Sequence, residues 1–98
     1  MNLRENRNLV ALKDLLPLLR HHGVKDAWLF GSRARGSNQE NSDWDLLVDF
    51  VSPPGFDNFM GLKLSLEDHF NSRFDILSRS ACPPRFLKAI EDELLHVA

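Results

Sequence analysis

The spacing with most chemical content in this chain is Gly31-Ser32, ten residues, then Asp43-x-Asp45. Side chains alternate along a strand, so Asp43 and Asp45 share a face, with Cα atoms about 6.6 Å apart. Two carboxylates so placed raise each other's pKa and destabilise the chain unless a cation offsets them. Mg²⁺ suits the pair, because it takes one or two protein carboxylates and leaves its other positions to water and phosphate oxygens. The competing reading is a solvated strand edge. That reading is adopted for Asp49, further along, whereas Asp43 and Asp45 are read as metal ligands because of what precedes them. Gly31 closes an apolar run, and glycine lets the backbone turn sharply and approach a ligand. If a helical turn begins near Ser32, its free N–H groups and hydroxyl face an anion. Alone, Gly-Ser is an ordinary capped turn; its weight comes from closing one strand just before the aspartates open the next.

The elements that must position these residues follow from periodicity. Apolar residues recur at helical spacing from Leu3 to Arg20, at Leu9, Leu12, Leu15, Leu16 and Leu19. Pro17 interrupts them, which predicts two short helices or one kinked helix ending near Gly23. Val24–Phe30 reads as a first strand, "GSRARGSNQENS" as a loop with room for one helical turn, and Asp43–Phe50 as a second strand. "SPPG" breaks the chain. Phe56–Phe70 reads as a helix weakened by Gly61, Arg73–Leu77 as a short third strand, and "PPRFLKAIEDELLHV" as a closing helix opened by its prolines. The expected architecture is an α/β (α+β) sandwich with a small mixed three-stranded sheet, ordered helix, strand, loop or short helix, strand, helix, strand, helix.

The stretch "LFGSRARG", continued by "SDWDLLVDF", resembles the minimal nucleotidyltransferases of the DNA polymerase β-like superfamily. Within these it is similar to the MntA-type antitoxins paired with HEPN-domain toxins. The resemblance spans nearly the whole chain and implies the nucleotidyltransferase fold. By it, Gly31 and Ser32 hold nucleotide phosphates, and Asp43 and Asp45 bind two divalent metals. A third carboxylate is expected on a neighbouring strand, where Asp75 fits. Asp75 is also odd in its own right, a lone acid between Phe74 and Ile76 that is costly to bury without a partner; pairing with an arginine is the alternative. In the family it acts as base for the incoming hydroxyl and helps hold the second metal. Arg33 and Arg35 flank the phosphate loop and diverge in a helical turn. Arg33 is expected to face the phosphates and Arg35 to hold the loop through a carboxylate. The implied activity is Mg²⁺-dependent transfer of AMP from ATP to a tyrosine of a cognate HEPN ribonuclease, which silences it. Two alternatives stay open: an antitoxin acting by binding alone, and a small-molecule nucleotidyltransferase served by a separate acceptor subunit.

Bulk properties bound these readings. Ninety-eight residues make one domain, 1–98, which is 43% hydrophobic and 27% charged. No apolar run approaches the ~20 residues of a membrane span, and the start "MNLRENRNLV" has no long apolar core after its charges, so neither a membrane span nor a signal peptide is expected. A single cysteine, Cys82, fits a reducing, cytoplasmic setting and reads as a bland thiol. A formal net charge of −2 argues against gripping duplex DNA by phosphate neutralisation. His21 and His22 point about 100° apart on a helix, which is poor metal geometry. His69 and His96 are isolated, and Trp44 faces the core side. One small core leaves no room for an acceptor domain, so the acceptor brings its own surface, with a hetero-oligomer as one outcome.

Overall fold

The computed structural model describes residues 9–39 and 42–97. Helix α1 covers Leu9–His21 and runs through Pro17 without a break. Proline there has no N–H to give the preceding turn, at a cost of about 3 kcal/mol. Complete burial of Leu15 and Leu19 on the core face offsets it. The expected start near Leu3, and the side chains of Leu9 and Leu12, lie outside the described residues.

Strand β1 is Val24–Phe30, α2 the short turn Ser32–Arg35, and β2 Trp44–Phe50. Helix α3, Phe56–Phe70, crosses over to β3, Phe74–Ser78. A 3₁₀ turn at Arg79–Ala81 leads to α4, Pro84–Ile90. A second 3₁₀ turn, Glu91–Glu93, then delivers β4, Leu95–His96. The sheet has the order β3-β2-β1-β4. β1 is antiparallel to β2 and to β4, while β2 and β3 are parallel.

The fourth strand corrects the three-stranded expectation, and with it the closing helix that was to reach Val97. Three acids, Glu91, Asp92 and Glu93, follow α4. Negative charge at a helix C-terminus opposes the helix dipole. The free edge of β1 offers the chain other partners: Leu95 and His96 pair with Leu29 and Trp28, and Val97 N–H donates to the Ala27 carbonyl at 2.9 Å.

The core lies on the sheet face covered by α1 and α3. Ala27 and Leu29 of β1, Leu46 and Val48 of β2, and Phe74 and Ile76 of β3 meet Leu15, Leu19, Leu62 and Leu66 there. Alternation sends Asp45, Leu47 and Asp49 of β2 to the opposite face with Asp75 and Leu77 of β3. Trp44 is buried as expected, stacked on Phe74 with ring centroids 5.4 Å apart.

Candidate active site

Phe30, the last residue of β1, pairs with Asp45, so the chain turns away at Gly31 directly against that acid. Gly31 has φ +75° and ψ −157°. That region belongs almost entirely to glycine. A Cβ there would collide with Asp45 Oδ2 and stand 3.3 Å from its Cγ. Glycine is therefore required twice, for the backbone angle and for the closeness of the carboxylate.

Asp45 and Asp75 are register partners across the parallel β2–β3 pair. Their side chains leave the same face of the sheet as neighbours, and Asp45 has a carboxyl pKa raised above the ordinary range. Partial burial is the main cause, followed by the charges of Asp75 and Asp43, with Glu93 adding a little. Asp43 precedes the first ladder residue, Trp44, at the mouth of β2. Asp45 and Asp75 stand side by side across the β2–β3 pair, and Asp43 lies near enough for its charge to act on Asp45. Among the described residues, no three His, Cys, Asp or Glu side chains stand close enough together to hold a metal ion. The donor chemistry still fits a hard divalent cation: all oxygen, with like charges crowded onto one another.

Arg33 is placed differently from expectation. Its side chain is 6% exposed. Nε and Nη2 donate to the Ser42 carbonyl at 3.2 and 2.8 Å, and Cζ lies 4.1 Å from the centroid of the Trp44 ring. It ties down the chain entering Asp43 and faces away from the acid-bearing surface. Trp44 supplies the reason, because a buried aromatic face next to a carbonyl suits a flat guanidinium. Arg35 diverges from it, exposed, with Nη1 3.2 Å from Glu93 Oε2. Ser32 is half-buried at the start of α2, and its carbonyl accepts the Ser37 N–H at 3.0 Å. Asp49 is held by Arg79 at 3.0 Å rather than left to water.

Sequence reasoning missed three residues here. Glu93 Oε1 accepts the Gly31 N–H at 3.0 Å, so one carboxylate spans that N–H and the Arg35 guanidinium. Its position within an expected helix, in a run of acids, gave no signal. Lys63 and Glu67 form an i,i+4 pair on α3 that reads in sequence as an ordinary surface contact. Lys63 also lines a cavity of about 480 Å³ with Phe30, Asp45, Asp75, Ile76, Leu77 and Phe86. An apolar groove of about 610 Å³ continues from it past Phe59, Cys82 and Pro83.

This fold is shared with solved nucleotidyltransferases. A structure described as a "putative minimal nucleotidyltransferase" superposes with a TM-score of 0.77 at 35% identity, covering 97% of this chain and 95% of its own. Residues 13–96 match the family described as polymerase beta, nucleotidyltransferase, and the chain belongs to that family. A Methanocaldococcus jannaschii relative named "putative protein adenylyltransferase" is 33% identical over 97 residues, 99% of each chain. The protein adenylyltransferase MntA of Thermococcus cleftensis is 35% identical over 75 residues, 76% of each chain. A toxin–antitoxin complex solved with AMP-PNP has a TM-score of 0.77 at 19% identity, covering 89% of this chain and 72% of its own, and shares the fold.

Proposed function

We propose that this nucleotidyltransferase moves AMP from ATP to a tyrosine hydroxyl of a HEPN-type ribonuclease partner and so acts as its antitoxin. The observation that carries the reading is the register pairing of Asp45 with Asp75, with Asp45 set against the Gly31 turn. The relatives named protein adenylyltransferase support the reaction class. One structural neighbour is a tri-AMPylated HEPN toxin in complex with an MNT antitoxin, which supports the partner.

Asp43, Asp45 and Asp75 would hold Mg²⁺, two ions in the family's arrangement, which stabilises charge on the attacking and leaving oxygens. Asp75, the most exposed of the three acids, takes the acceptor hydroxyl's proton. The acceptor oxygen bonds to the α-phosphorus, the bridging bond to the β-phosphate breaks, and pyrophosphate leaves. Gly31 N–H, Ser32 and Arg35 face the phosphates. That a single carboxylate already spans Gly31 and Arg35 supports seating an anion in this corner. Such an anion must displace Glu93.

Intact-mass spectrometry of the purified protein, ATP, Mg²⁺ and a candidate HEPN-type ribonuclease partner tests the reading. An AMP-sized gain on the partner is expected, lost in the Asp43→Asn, Asp45→Asn double variant. If that variant still protects cells and no adduct forms, neutralisation is by binding and the transfer reading fails.

A further inference from the structure

β3 is the outer strand of the sheet, tied to β2 on one side only. The Trp44 N–H donates to the Arg73 carbonyl at 2.9 Å, so the backbone groups of Phe74 point outward, away from β2. Unpaired edge groups leave a strand free to shift. Here both groups of Phe74 are captured by one pair of side chains from α3. Glu67 Oε2 accepts the Phe74 N–H at 3.0 Å and the Lys63 ammonium at 3.1 Å. The same ammonium donates to the Phe74 carbonyl at 2.6 Å. The result is a closed ring: N–H to carboxylate, carboxylate to ammonium, ammonium to carbonyl. That carbonyl belongs to the peptide joining Phe74 to Asp75. Its plane fixes where the Asp75 side chain leaves the strand, and Asp75 is the register partner of Asp45.

We infer that Lys63 and Glu67 are positioning residues that hold Asp75 against Asp45. The inference rests on the reading of those acids as the cation-binding pair. An exposed i,i+4 pair is usually worth only a few tenths of a kcal/mol. This pair differs because each partner also holds one backbone group of the strand that carries a site residue. Groups standing behind metal ligands in this way typically change metal affinity 10- to 100-fold when removed.

Mn²⁺ alone is the probe, its affinity read by water-proton relaxation beside the melting temperature of each full-length variant. Wild type is expected to bind Mn²⁺, and Asp45→Asn and Asp75→Asn to lose it. Lys63→Met is expected to weaken binding about 10- to 100-fold, with Lys63→Arg recovering to within about threefold because it restores a donor to the carbonyl. Glu67→Gln, which keeps an acceptor for Phe74 but loses the charge, falls between. Leu62→Val lowers stability from the same helix without touching the ring, and its Mn²⁺ affinity is expected to match wild type. If Lys63→Met binds like wild type, or Leu62→Val weakens binding as much at equal thermal loss, the positioning role is overturned and the acid pair stands. If wild type binds no Mn²⁺ through Asp45 and Asp75, the reading of the acid pair falls and this inference with it.

Discussion

Asp45 is the residue on which the site turns, and it carries a cost to the fold. It sits half-buried against Gly31, beside Asp75 and within range of Asp43. Its carboxyl pKa is raised in the folded chain, so folding favours its protonated form. The sign follows from linkage: below the unfolded pKa of about 3.9 the site costs no stability. The penalty grows as pH rises toward the folded pKa and is complete above it. Asp45→Asn removes a charge that the fold resists. Its melting temperature, measured with chelator present, is expected to exceed wild type at pH 7, with the gap closing toward pH 3.5. Mg²⁺ should raise the melting temperature of wild type and leave the variant unmoved. A variant less stable than wild type at pH 7, with no pH-dependent gap, would show that the like charges are not what strains this corner.

At the level of elements, the loop between α2 and β2 is set by a packing contact rather than by glycine alone. Arg33 reaches from α2 to the Ser42 carbonyl across the face of Trp44 and so fixes where the chain enters Asp43. Lysine cannot copy a flat, two-pronged donor stacked on an indole. Arg33→Lys is expected to lower stability by about 1–2 kcal/mol in urea denaturation. AMP-PNP affinity should change less than about threefold, a few tenths of a kcal/mol. A loss beyond about tenfold at unchanged stability would put Arg33 on the phosphates and remove it from the loop. The β1–turn–β2 unit was readable because strand alternation and turn chemistry are local. The end of α4 was not. Helical spacing continues through Leu94 and Val97, and only the free edge of β1, a partner distant in sequence, makes a strand the better outcome.

Across the whole molecule, core and site are the two faces of one thin sheet. Phe74 is fully buried on one face, and its neighbour Asp75 is exposed on the other. Phe74 stacks on Trp44 and packs with Phe70, ring centroids 5.6 Å apart. Truncating such a side chain costs about 3–5 kcal/mol. A small domain holds only about 5–15 kcal/mol in total. Phe74→Ala is expected to shift the urea midpoint sharply downward and to lose divalent-cation binding while still partly folded, because the strand carrying Asp75 loses its anchor. Cation binding retained at wild-type strength in the folded fraction would separate the two faces and refute this coupling.

The sequence alone determined the strand–glycine turn–strand unit, the apolar helix stripes and the family resemblance. Each depends on residues near one another in the chain, through side-chain alternation, helical period or the conformational demands of glycine. The resemblance already pointed to Asp75 on a neighbouring strand; tertiary structure alone decided that its register partner is Asp45, that Arg33 turns inward to Trp44, that Glu93 takes the Gly31 N–H, and that Lys63 and Glu67 close on Phe74. Those outcomes depend on which strand edges meet and which backbone groups are left for side chains to satisfy, and no local pattern encodes that.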